Sequence, residues 1–133
     1  MTLQHVGYID LPPHTKNSGF DHAAVHTGHH LCYVAHTAND AVDVIDCLED
    51  RYLRSIPNLT GVAGALVSEA DDLVFTSNRG ENTVSIFSGK DAKDLGKISV
   101  GIRQMDCHTT HNLACCCLHT SAIPISLTQR PYQ

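Results

Sequence analysis

A gapless duplication constrains this chain more than any other feature of its sequence. Placed 42 residues apart, Gly19 falls on Gly61, Ala23 on Ala65, Val25 on Val67, Leu31 on Leu73, Val42 on Val84, Leu53 on Leu95 and Ile56 on Ile98. Conservative pairs fill in between: Tyr33 with Phe75, Val44 with Ile86, and Arg51 with Lys93. A unit of this size cannot bury its apolar face alone, so its copies must stack and share a core. With 42% hydrophobic residues there is enough apolar material for that core, and 17% charged residues is too few for a disordered polyelectrolyte.

The period fits a four-stranded blade of roughly 40 to 45 residues, and it overlaps the helical HEAT and armadillo range. Periodicity inside the repeat decides for strands. Ala41-Val42-Asp43-Val44-Ile45-Asp46 alternates, and Thr83-Val84-Ser85-Ile86-Phe87 alternates in the same places with β-branched enrichment. Short runs at 22–26, 31–36 and 52–56 recur at 64–68, 73–78 and 94–98. Between them stand turn formers: Thr27-Gly28, Ala38-Asn39-Asp40 and Gly80-Glu81-Asn82. The expected fold is all-β, an incomplete β-propeller of about two four-stranded antiparallel blades plus an irregular tail.

Tyr33-Val34-Ala35-His36, a three-residue turn and Asp40-Ala41-Val42-Asp43-Val44-Ile45-Asp46 resemble the repeat of the YVTN-type β-propellers, with the YncE-like proteins as the named family. The second copy, Phe75-Thr76-Ser77-Asn78 followed by Asn82-Thr83-Val84-Ser85-Ile86-Phe87, keeps the two asparagines that the first replaces with His36 and Asp40. The likeness covers about residues 19 to 103. It divides the chain into residues 1–18, with an outer strand of a preceding or closing blade at His5 to Pro13, blade repeats at 19–60 and 61–103, and an aberrant or disordered Cys/His-rich tail at 104–133.

The tail admits more than one reading. Cys107, His111, Cys115 and His119 are thiolate and imidazole groups of the kind zinc takes, but there is no Cys-x2-Cys pair and Cys115-Cys116-Cys117 cannot easily aim three sulfurs at one ion. A displaced reading frame accounts for more. Codons read from each third base turn Met105 into Asp106 into glycine, Asp106 into Cys107 into leucine, and both steps of the cysteine run into leucine. From Gln104 the displaced frame allows Asp-Gly-Leu-Pro-Tyr-Asp, which resembles the family's inner-strand pattern. Residues from about Gln104 onward are then expected to be the frameshifted remnant of a third blade, and the alternative is a divergent or disordered tail.

A formal charge of -5 with interspersed signs gives no basic face for nucleic acid and no polybasic stretch for a membrane surface. The start at Met1-Thr2-Leu3-Gln4-His5 lacks the pattern of a secretory signal, so a cytoplasmic location is expected of the chain as written, with export of relatives left open by the resemblance. No cofactor is indicated.

The resemblance implies a non-enzymatic ligand-binding or scaffold module in the intact protein, with an unknown ligand or protein partner. A truncated propeller enzyme, lyase-like or quinoprotein dehydrogenase-like, and a zinc-binding tail stand as alternatives. Ligand contacts are expected where inner strands and their loops converge, at His22, His36, Asn78 and Arg79. Each has a plainer role: strand-end or turn histidines, an Asx turn and a solvated charge. His29 and His30 read as a polar turn. Asp21-His22 and Asp71-Asp72 are set aside as acid-base pairs, because strand neighbours point to opposite faces. Two blades leave sheet edges uncovered, so self-association through them is expected.

Overall fold

The computed structural model describes residues 2–100, together with the backbone of residues 104–110, 113–118 and 122–125. Two four-stranded antiparallel sheets follow one another along the chain. The first holds β1 (Ala23–His26), β2 (Leu31–His36), β3 (Ala41–Asp46) and β4 (Arg51–Ile56) in sequential order. The second repeats it with β5 (Val62–Ser68), β6 (Leu73–Asn78), β7 (Thr83–Ser88) and β8 (Asp94–Ser99). The four central strands occupy the limits set by alternation, because β-branched and aromatic side chains there fit a half-buried pleated surface.

Each turn uses the left-handed region at its last residue, and those positions also repeat. His30 (φ 54) matches Asp72 (φ 54), Asp40 (φ 49) matches Asn82 (φ 53), and Asp50 (φ 49) matches Ala92 (φ 54). Asp and Asn tolerate this conformation through local hydrogen bonds, which explains the Asx-rich turns.

Alternation gives each blade two faces. In β2 and β3 the register pairs Tyr33 with Val44 and Ala35 with Val42, so these four share one face of the first blade. They join Val62, Val74 and Phe87 of the second blade, together with Leu59 from the connection between them, in one apolar cluster. This seam is the main core. Burying a side chain such as Tyr33 or Val44, both at 0% exposure, contributes about 1.5 to 3 kcal/mol each. On the far face of the second blade Phe75 and Val84 pack with Leu66, Leu73, Ile86 and Val100.

The inner strands are neighbours across blades, β1 beside β5 and β5 beside β9, as they must be around a propeller axis. The segment of the tail at β9 (Gln104–Thr110) pairs with β10 (Leu113–Leu118), which pairs with β11 (Ala122–Ile125). Part of the region read as an irregular tail is thus extended backbone, and β9 starts 42 residues after Val62. The remainder of 104–133 lies outside the described residues.

Residues 2–22 carry no strand, including His5 to Pro13, where an outer strand was expected. The segment instead leans on the first blade. Thr15 donates its backbone N–H to Asn39 Oδ1 at 2.8 Å and its hydroxyl to the Ala38 carbonyl at 2.9 Å, and Asn39 Nδ2 donates to the Pro13 carbonyl at 3.0 Å. Among the described residues no helix is long and apolar enough to cross a membrane.

Candidate functional site

Antiparallel blades have two rims, and the candidate residues divide between the rims and the blade interior. His36 and Asn78 are repeat equivalents, and both are fully buried on blade faces. His36 Nδ1 donates to Asp43 Oδ2 at 2.7 Å, and Asp43 Oδ1 accepts from Ser55 Oγ at 2.5 Å. The rings of His14 and Phe20 lie over His36 at centroid distances of 4.9 and 4.3 Å. In the second blade Asn78 Nδ2 donates to Thr83 Oγ1 at 3.0 Å and to Ser85 Oγ at 2.9 Å, while Asn78 Oδ1 accepts from Thr76 Oγ1 at 3.1 Å. Neither His36 nor Asn78 reaches a rim. Both tie the end of the second strand of a blade to the third.

His22 and Arg79 do come together, through a residue that connects them. Asp21 Oδ1 lies 2.6 Å from His22 Nδ1, and Asp21 Oδ2 accepts from Arg79 at 3.0 Å across the seam. Asp21 and His22 precede β1, so the opposite-face rule for strand neighbours does not apply and the two side chains meet. Arg79 is half-exposed but paired, not a free solvated charge. On this same rim Asp40 Oδ1 accepts the Gly61 N–H at 2.9 Å. That bond, followed by one from Lys16, holds the Asp40 carboxyl below its ordinary range.

The opposite rim holds a cluster that sequence reasoning missed. His26, 3% exposed, lies at the end of β1, and His29 lies in the turn that follows. Both aim at Asp72, the left-handed residue of the matching turn in the second blade. His29 Nε2 is 2.7 Å and His26 Nε2 3.0 Å from the same oxygen, Asp72 Oδ1. Each residue offers a donor atom, and the three donor atoms lie within 4.8 Å of one another. His26 Nδ1 accepts the His29 backbone N–H at 3.3 Å, which places the proton of neutral His26 on Nε2.

Two further contacts brace this rim. Glu69 accepts from the Thr27 hydroxyl and from the Thr27 N–H, the latter at 2.7 Å, and these bonds hold its carboxyl below the ordinary range, the hydroxyl contributing most. Gly89 backs the cluster: a Cβ there would stand 2.4 Å from Asp72 Oδ1 and 2.9 Å from His26 Nε2, so a larger residue would push the carboxylate and the buried ring aside. The buried Tyr33 hydroxyl donates to the Gly89 carbonyl at 2.8 Å. Burial pushes the Tyr33 phenol up to about 12.

One signal for this rim was present in the sequence. His26, His29, Asp72 and Gly89 break the repeat, standing opposite Ser68, Asp71, His30 and Cys47. Of the tail candidates, Cys107 and Cys115 fall on the backbone of β9 and β10, while His111 and His119 lie outside the described residues, as do the side chains of all four.

No family model matches the chain, and no curated protein matches it. Solved structures do. Hydrazine synthase from Kuenenia stuttgartiensis aligns over 91% of this chain and 36% of its own at 13% identity, with a TM-score of 0.76. The β-propeller domain of Cps50 (Swd1) from Myceliophteria thermophila aligns over 85% of this chain and 38% of its own at 10% identity, with a TM-score of 0.69. Apo AztD from Citrobacter koseri aligns over 71% of this chain and 26% of its own at 17% identity, with a TM-score of 0.57. The fold is therefore an incomplete β-propeller, and the chain spans about a quarter of the length of the AztD structure and little more than a third of the other two.

Proposed function

We propose that this chain is part of a YVTN-type, YncE-like β-propeller whose intact form is a non-enzymatic ligand-binding or scaffold module. The observation that carries this is the disposition of the repeat's polar residues. His36 with Asp43 and Asn78 with Ser85 are spent inside the blades, whereas Asp21, His22 and Arg79 form a polar group at a rim shared by two blades. Propellers present such rims at the mouth of a central channel, and closure of about 4 to 8 blades is what removes their sheet edges.

The same proposal holds that residues from about Gln104 onward come from a displaced frame of a longer gene. In support, β9 begins at Gln104 and β10 includes Cys115, Cys116 and Cys117, the places the 42-residue period assigns to a third blade. The test is the nucleotide sequence across codons of the tail and beyond, read in all frames. Further YVTN-like blades in the displaced frame are expected, and a displaced frame without blade patterns overturns the frameshift. The frame-restored protein is then expected to run as a closed monomer in size-exclusion chromatography; persistent association would count against a complete propeller.

A further inference from the structure

We propose that His26, His29 and Asp72 form a binding site for a first-row divalent transition cation, zinc in the first instance, at the rim opposite the Asp21–Arg79 pair. The two imidazole Nε2 atoms now converge on one carboxylate oxygen at 3.0 and 2.7 Å. That is an arrangement in which a single divalent ion can replace two N–H protons. Tetrahedral zinc, with bonds of roughly 2.0 to 2.2 Å to nitrogen and oxygen, needs ligand atoms about 3.3 Å apart. To meet this the carboxylate oxygen has to retreat by a few tenths of an ångström, and the two imidazole nitrogens, within 4.8 Å of each other, have to close to about 3.3 Å by rotation of the partly exposed His29.

The site is half built and half open, as an ion requires. His26 is buried and fixed at the seam, which presents its Nε2 without the cost of ordering an exposed side chain. His29 and Asp72 are 31% and 47% exposed, so an ion has an entry path and a fourth position open to water. Gly89 clears the volume behind the donor atoms. Two histidines and one carboxylate form the donor set of open zinc sites, in contrast to the closed thiolate sets of structural ones.

Loading the ion on His26 Nε2 returns its proton to Nδ1. The 3.3 Å bond from the His29 N–H is then lost, and this bond is long enough to be weak. Binding therefore competes with that turn contact.

The test is titration of the full chain with Co2+, read by visible absorption and calorimetry, and by displacement with Zn2+. One equivalent is expected, with d–d bands of nitrogen and oxygen ligation. His29→Ala and Asp72→Asn should each weaken binding more than about tenfold, since loss of mere outer-shell partners already costs about 10 to 100-fold. Asn keeps the left-handed backbone at position 72, and both residues are exposed enough for the variants to fold. His5→Ala, an exposed histidine ahead of the first blade, should bind as the parent does. Near-ultraviolet charge transfer of cobalt bound to thiolate as the sole signal, or unchanged affinity in both folded variants, overturns the proposal.

Discussion

His36 Nδ1 donates to Asp43 Oδ2 at 2.7 Å with neither side chain exposed, and Asn78 donates to Ser85 in the same relation 42 residues on. Each pair pins the second strand of its blade to the third. Asp43 also takes the Ser55 hydroxyl, so Asp43→Ala leaves the buried His36 N–H without an acceptor and turns the half-buried Ser55 hydroxyl back on Tyr52 alone. The expected loss is about 3 kcal/mol or more in urea unfolding. Combining His36→Asn with Asp43→Ser, which installs the second blade's pair, should cost less than the sum of the single changes, with a coupling of about 1 to 3 kcal/mol. Strict additivity would show that the contact does not hold the blade.

Gly19 and Gly61 are repeat equivalents with different surroundings. Gly61 has φ 62, and a Cβ there would stand 2.6 Å from the Gly80 backbone nitrogen, whereas nothing lies within 4 Å of a Cβ on Gly19. Gly61→Ala is expected to destabilise by more than about 1 kcal/mol and Gly19→Ala to be neutral within about 0.5 kcal/mol. Equal midpoints in parallel denaturation curves would contradict this.

Tyr33 sets an alkaline limit. Its phenol is raised from 10 to about 12 in the fold, so its stabilising effect is whole below pH 10 and is lost as pH rises through about 12. The unfolded chain ionises first in that window. Tyr33→Phe should remove this slope from the stability profile and, by stranding the Gly89 carbonyl, cost about 1 to 3 kcal/mol at neutral pH. Ultraviolet titration in which all tyrosines ionise together near 10 would refute it.

The acid side rests in part on Asp40. Its carboxyl is lowered by the Gly61 N–H and then by Lys16, so the stability it lends is present above its unfolded value near 3.8 and disappears as pH falls through the lower folded value. Asp40→Asn should flatten the acid limb of the unfolding curve while leaving the limb above neutrality unchanged. An unaltered acid limb would assign the slope to other carboxylates.

The blades were legible because β2, β3, β6 and β7 carry alternation, β-branched residues and Asx turns at one fixed spacing. Face assignment was less so, although it could have been reached. His36 pairs with Ala41 across the turn, which puts Asp43 two residues on and on the same face. The cluster of His26, His29 and Asp72 was beyond alternation, since it joins turns of different blades and depends on how the seam stacks. The lie of residues 2–22 was equally hidden, because its hydrogen bonds to the turn at Thr37–Asn39 and its rings laid over His36 follow no periodic pattern.

The two blades share a backbone plan yet expose different mating faces. The second meets its neighbour with Thr76, Asn78 and Ser85, while the same face of the first carries Val34, His36 and Asp43 and is sheltered by His14 and Phe20. Duplicated units with unlike couplings have an address. A gene in which these blades were shuffled would still encode sound sheets, yet it would press a histidine–aspartate pair against a surface shaped for asparagine and serine, so the order of repeats is itself inherited information.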